Sequence, residues 1–267
     1  MDRFSTWPYA FPETHAAVSD LIRARSSNPA DVRDTALQGL DFSAIDQVLD
    51  LGCGFGFMGE AVAKRLHPGA RVVGVDGAVA NGPVFRARVE ATGRHAEFHL
   101  MAIEDTLPWP DASFPLVVSS YSLYFFPSIL PEVARILAPG GRFVALTHHC
   151  DVLQSLLLAV GETEAAARLV DLTGRFCAQS GAGILAPWFP EVEVRRYPNT
   201  LRFGRAHAGE LLAYLDFKVG VLVPGETKTV RRERLARRLD ALFDQHPEVA
   251  VPKDDVAFCA RRPPCRP

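Results

Sequence analysis

The sequence predicts an α/β fold, a mostly parallel sheet with helices on both faces. Three observations carry that reading. Val48, Leu49 and Leu51 read as a short buried strand that runs into a glycine-rich turn, Gly52-Cys53-Gly54-Phe55-Gly56, and then into a helical stretch, Phe57 to Leu66. Arg71 to Val75 reads as a second buried strand, ending at Asp76. From 45 to 147 apolar strands keep alternating with helical stretches, the pattern of parallel strands joined by helices.

Taken in order, residues 1–43 form an N-terminal region. An aromatic, proline-rich lead (Trp7, Pro8, Tyr9, Phe11, Pro12) precedes a helix expected from Glu13 to Arg25. Residues 44–150 form the core. Residues 151–190 follow with helical spacing (Val152, Leu156, Leu157, Val160, then Leu169, Val170, Leu172) and little strand signal. Residues 191–267 hold a strand at Val192–Tyr197, helices at Glu210–Phe217 and Arg231–Phe243, and a last strand at Val256–Arg261. The whole reads as one domain without internal repeats.

The glycine turn is where ligand chemistry is expected. Glycines let the backbone leave ordinary φ/ψ space and approach a ligand closely. A helix opening there directs free N–H groups into the turn, which favours an anionic group. Asp50 adds a carboxylate at the same mouth, so a ligand carrying both charges, such as an amino-acid moiety on a nucleoside, would suit it. Gly54, Gly56 and Gly59 also satisfy the dinucleotide fingerprint, with Asp76 where its ribose-binding acid belongs, so a nicotinamide dehydrogenase competes.

Four segments in order resemble the class I S-adenosylmethionine-dependent methyltransferases, small-molecule branch (methyltransferase type 11-like). Val48 to Gly56 resembles motif I, and Val72-Val73-Gly74-Val75-Asp76 the second strand with its ribose acid. Leu107 to Ser120 resembles the loop and fourth strand, and Arg135 to Val144, with Pro139-Gly140-Gly141, the helix, turn and fifth strand. The resemblance implies a Rossmann-like seven-stranded sheet whose last strand inserts antiparallel between the fifth and sixth, with 151–190 as a helical cap over the substrate. It implies S-adenosyl-L-methionine as cofactor, held by Asp50, Gly52, Cys53, Gly54, Asp76, Gly77, Ala102, Ile103 and Ser119, and a small-molecule acceptor methylated on O, N, S or C. Two positions depart from the pattern. Ala102 and Ile103 stand after the third strand, Glu97–Met101, where an acid often contacts adenine, with Glu104 and Asp105 as substitutes. Pro115 replaces the usual Asp, which suits a strand's first residue.

Methyl transfer is an in-line displacement, so alignment and exclusion of water matter most, and a base is needed only for a protonated nucleophile. Residues at the carboxyl ends of strands are the candidates. His148 is the first choice as base or orienting group, with Tyr121 beside it; Tyr124, His149 and, from the N-terminal region, Tyr9 and His15 are expected to touch substrate. The competing reading has these histidines ending a strand in solvent and the N-terminal aromatics packing on the sheet edge. Adjacent residues in His148-His149-Cys150-Asp151 point to opposite faces, so no metal site is expected. Cys53 is assigned to packing.

Composition narrows the alternatives. A chain of 267 residues with 48% hydrophobic and 22% charged residues can bury a large core. The formal charge of −2 gives no electrostatic case for nucleic acid or membrane binding, and the basic run Arg231 to Arg238 reads as a solvated helix face. A nucleic-acid or protein methyltransferase is a further alternative, the former disfavoured because Ser119-Ser120-Tyr121-Ser122 lacks the Asp/Asn-Pro-Pro-Tyr/Phe motif. A non-catalytic cofactor-binding protein on the same fold stays open. Five scattered cysteines, the absence of a long apolar run and an N-terminus unlike a signal sequence suggest a cytoplasmic protein, monomeric or homodimeric.

Overall fold

The structure is a computed structural model and describes residues 8–264. Trp7 and Cys265 lie outside the described residues. The strands are β1 (Gln47–Leu51), β2 (Arg71–Asp76), β3 (His95–Leu100), β4 (Phe114–Ser120), β5 (Leu137–His148), β6 (Glu191–Tyr197), β7 (Thr200–Gly204), β8 (Glu248–Pro252) and β9 (Asp255–Arg261). Seven of them form one sheet in the order β3-β2-β1-β4-β5-β9-β6. Strands β1 to β5 pair in parallel, and β9 lies antiparallel between β5 and β6, as the resemblance implied. The chain reverses its direction of travel across the sheet between β1 and β4, and a crevice opens at the carboxyl ends there.

The helices are α1 (Pro12–Arg25), α2 (Val32–Leu37), α3 (Phe57–Ala63), α4 (Asn81–Glu90), α5 (Leu130–Ile136), α6 (Gln154–Ala159), α7 (Thr163–Gly174), α8 (Gly181–Leu185), α9 (Ala208–Leu222) and α10 (Lys228–Gln245). Central strands are apolar on both faces because both are covered. Val48, Val72, Leu116 and Val144 pack with Met58, Val62 and Phe85 on one side. Leu49, Val73, Val117 and Phe143 pack with Val133, Ile136 and Phe189 on the other. Pro115 is the second residue of β4, beside a register shift between Phe114 and Leu116, so its missing N–H falls where the ladder is already interrupted.

A third apolar cluster stands off the sheet. It joins Val18 of α1, Leu156 and Leu157 of α6, Leu169 of α7, Tyr214 of α9 and Leu239 of α10 to Leu201, Phe203 and Val251 of the small β7–β8 sheet. That pair of strands was not read from the sequence; each is five residues long with only alternate positions buried. The cluster roofs the crevice, and its lining comes from α1, the loop before α2, and α9. None of the residues of the cap expected at 151–190 lines this cavity, but Val152, Leu153, Leu169, Leu172 and Thr173 line a small pocket with Tyr9, Tyr124, His148 and Lys218.

The N-terminal part of the roof is tied to the C-terminal part by polar contacts. The Asn199 side-chain oxygen accepts from the Ser26 hydroxyl at 2.8 Å and from the Ser27 and Asn28 N–H groups at 3.1 and 3.2 Å. The Tyr197 hydroxyl donates to the Ala30 carbonyl at 2.6 Å.

Candidate active site

One cavity of about 820 Å³ occupies the crevice. Its two halves differ in chemistry.

The first half is built on the ends of β1 and β2. Gly52 has φ +69°, and a Cβ there would lie 2.5 Å from the Ser122 Cβ, so only glycine lets the turn close against the segment after β4. Asp50 ends fully buried beneath this turn, and neither of its oxygens has a hydrogen-bond partner of good geometry. Burial, opposed by the nearby Gly59 N–H and helped by the charge of Asp76, pushes its carboxyl up to about 7. Asp76 accepts from the Gly54 N–H at 2.9 Å, the Ala78 N–H at 2.8 Å and the Asn81 amide at 3.0 Å, yet burial still raises it. Gly77, Ala102 and Ile103 line the same half, whereas Glu104 and Asp105 do not.

The anion-favouring helix end expected here is weaker than the sequence suggested. Helix α3 spans seven residues, and the N–H groups of Gly52 and Cys53 donate to the Val75 carbonyl while that of Gly56 donates to Cys53. What the turn presents instead is a pair of carboxylates. Cys53 lines the cavity, and burial holds its thiol well above the ordinary range, which fits packing and not nucleophilic duty.

The second half sits where β5 meets β9. His148 and Asp255 are register partners, and the His148 Nδ1 lies 2.7 Å from Asp255 Oδ1. Lys253, in the turn before β9, donates to both Asp255 oxygens at 2.8 and 2.7 Å. The Tyr121 hydroxyl donates to Asp255 Oδ2 at 2.9 Å, and its ring stacks on His148 at 4.3 Å and 19°. Tyr121 reaches this position from a left-handed backbone, φ 54°, a conformation costly for a non-glycine residue. His148, Lys253 and Asp255 are all buried.

The charge states follow from these contacts. Asp255 is held below the ordinary carboxylate range by Lys253 and His148 despite its burial, and burial lowers Lys253. Burial, reinforced by the Lys253 charge, lowers His148 to about 4, so its imidazole is neutral near pH 7. The His148 Nδ1 faces both Asp255 Oδ1 at 2.7 Å and Lys253 Nζ at 3.2 Å; a carboxylate can only accept, so the shorter contact assigns the proton to Nδ1 and the lone pair to Nε2, and the ring lines the cavity. Burial and the neighbouring Asp255 push the Tyr121 phenol well up, which leaves it a donor.

The roof supplies aromatic walls. His15 stacks on Phe217 at 5.6 Å and meets Tyr9 and Phe55 edge-on at 4.8 Å each. Burial lowers His15 to about 3, and its Nδ1 is left without a partner. Tyr9, His15 and Tyr124 all line the cavity.

Two expected residues fall outside it. The Ser119 hydroxyl is buried against Ser122 Oγ at 2.8 Å, and it is Ser120, pointing to the opposite face, that lines the cavity. His149 lies past the end of β5, where its Nδ1 meets the Gln179 amide at 3.1 Å, away from the cavity. Sequence reasoning missed Lys253, Asp255, Lys218 and Asn81. Lys253-Asp254-Asp255 looks like a solvated turn, but an antiparallel strand inserted beside β5 necessarily begins opposite the end of β5, and that implied feature placed Asp255 against His148.

Comparison with known proteins agrees with this geometry. Residues 48–141 match the family described as Methyltransferase domain. An uncharacterized methyltransferase of Synechocystis is 30% identical over 151 residues, covering 55% of this chain and 68% of the relative. This chain is a member of the S-adenosylmethionine-dependent methyltransferase family. A demethylmenaquinone methyltransferase of Thermus thermophilus is 36% identical over 136 residues, which cover 48% of this methyltransferase and 59% of that relative. Among solved structures, geranyl diphosphate C-methyltransferase of Streptomyces coelicolor, in complex with S-adenosyl-L-homocysteine, superimposes with a TM-score of 0.51 at 14% identity, covering 86% of this chain and 78% of that one, a likeness of fold.

The basic run of the methyltransferase is spent within the chain. Arg231 and Arg232 pair with Asp216, Arg234 with Glu226 and Glu162, and Arg238 with Glu162. Among the described residues no helix is long and apolar enough to cross a membrane.

Proposed function

We propose that this methyltransferase transfers a methyl group from S-adenosyl-L-methionine to a small-molecule acceptor enclosed beneath the α1–α9 roof. The observation that carries the reading is that His148 lines the same cavity as the buried carboxylates Asp50 and Asp76. The residues present suit the cofactor. Asp50 is a buried acceptor for an ammonium, Asp76 has the place and chemistry of a ribose-binding acid, and Ala102 and Ile103 offer backbone and apolar surface to a purine. When bound, the cofactor supplies an electrophilic methyl on a sulfonium centre, so the chain itself has no leaving group to activate.

His148 orients the acceptor and receives its proton at Nε2 where the nucleophile arrives protonated. Asp255 fixes the tautomer, and Tyr121 and Lys253 hold Asp255 in place. The aromatic roof excludes water from the displacement. A cavity of about 820 Å³ lies in the upper part of the range for ligand sites, enough for a cofactor and a modest acceptor together.

The test is isothermal calorimetry with S-adenosyl-L-homocysteine, followed by incubation of the chain with methyl-labelled cofactor and a metabolite extract. Binding and a single metabolite heavier by one methyl are expected. Heat with NADH and none with S-adenosyl-L-homocysteine would overturn the reading.

A further inference from the structure

Most charged side chains that line the cavity are neutralised by one another. Arg23 pairs with Asp20 at 3.2 Å, Arg33 with Asp31 at 2.6 Å, Arg88 and Lys64 with Glu60 at 2.5 Å each, and Lys253 with Asp255 at 2.7 Å. Among the described residues three lining charges have no ion-pair partner. Two are Asp50 and Asp76, in the cofactor half. The third is Lys218 on α9, in the other half.

Lys218 is half-buried beside neutral groups. Its Nζ lies 3.4 Å from the Tyr9 hydroxyl oxygen and 5.8 Å from the ring centroids of Tyr9 and Phe217. Ring faces attract an ammonium, but they do not neutralise it. Its charge is felt by His15, His148 and Lys253, all of which it disfavours in their protonated forms. It therefore stands within electrostatic reach of the acceptor-orienting histidine and of the roof. A cation on a wall of low dielectric is costly without a counter-charge, and a guest that brings one recovers that cost.

We infer that Lys218 selects an acceptor bearing an anionic oxygen group, separate from the atom that is methylated at His148. This rests on the methyl-transfer reading above and names the substrate class for the same site. The acceptor then has an apolar or aromatic body matched to Tyr124 and Phe217, a nucleophile facing His148, and a carboxylate or comparably acidic oxygen facing Lys218.

The probes are the three monohydroxybenzoates and the three matching hydroxybenzamides, titrated calorimetrically into the full chain already saturated with S-adenosyl-L-homocysteine. At least one hydroxybenzoate should bind about tenfold more tightly than its neutral amide. That preference should vanish in Lys218→Met and persist in Lys218→Arg, while affinity for S-adenosyl-L-homocysteine is the same in all three proteins. Equal binding of acid and amide, a preference that survives Lys218→Met, or no hydroxybenzoate binding to the loaded protein would each overturn the inference. Failure of S-adenosyl-L-homocysteine itself to bind marks the different case in which the methyl-transfer reading falls as well.

Discussion

His148 and Asp255 face each other as register partners at the junction of β5 and β9, with 2.7 Å between Nδ1 and Oδ1. One residue closes a parallel strand and the other opens an antiparallel one, so the two meet at the carboxyl end of the sheet although 107 positions separate them. Asp255 also holds Lys253, which makes it the junction of the acceptor half.

Removing that junction should damage stability and tautomer together. Asp255→Ala leaves Lys253 a buried ammonium without a counter-ion, and a loss of about 3–5 kcal/mol is expected in urea unfolding. In the milder Asp255→Asn, nitrogen NMR of His148 should show Nδ1 no longer fully protonated, whereas the wild type shows a single neutral tautomer with Nε2 bare. An unchanged spectrum would remove Asp255 from its orienting role.

Stability should fall as pH is lowered below the ordinary histidine range. His148 is lowered from 6.5 to about 4 and His15 from 6.5 to about 3, so between those limits the unfolded chain binds protons that the folded chain refuses. Each then adds a slope approaching about 1.4 kcal/mol per pH unit, stability rising with pH. Asp50, raised from 3.8 to about 7, works oppositely, its contribution being lost as pH rises through about 7. Denaturant titrations from pH 6 to 4 should show the slope fall by roughly one such increment in His15→Phe and steepen in Asp50→Asn.

Cofactor binding should release protons near neutral pH. Asp50 stands near half-protonation in the free protein at about pH 7, and an ammonium placed against it favours the carboxylate. Calorimetry of S-adenosyl-L-homocysteine in buffers of different ionisation enthalpy should reveal a fractional proton released per site. Asp50→Asn should abolish the release and weaken binding by about tenfold to a hundredfold.

Gly52→Ala should lose affinity before it loses the fold. A methyl group there meets Ser122 at 2.5 Å on a backbone with φ +69°, so the turn and the segment after β4 must part. A destabilisation of about 2–4 kcal/mol is expected from strain and overpacking together, read as a lower midpoint in thermal unfolding. Binding of S-adenosyl-L-homocysteine should fall by at least about tenfold.

The sheet was legible because its signals are local. Val48 to Leu51 and Arg71 to Asp76 are apolar runs with breakers on each side, and their boundaries agree with the strands to within a residue. Asp50, Gly52, Gly54, Asp76 and Gly77 cluster in the cavity because a strand's carboxyl end fixes where the next turn must lie. His148 and Tyr121 were placed by the same reasoning. Ser119 and His149 were not, since a one-residue change of register moves a side chain to the other face. Strands β7 and β8 escaped notice because neither carries a signal beyond a short alternation.

The sequence by itself determined a parallel α/β core, its crevice and the family to which it belongs, since periodicity, turn glycines and strand-terminal acids act over a few residues. Tertiary structure alone decided that α1 and α9 line the cavity from above, that Lys253 and Asp255 complete His148, and that Lys218 is left without a counter-charge. Burial and ion pairing are set by residues distant in the chain, so the charge state of a side chain can be read only after the fold has chosen its neighbours.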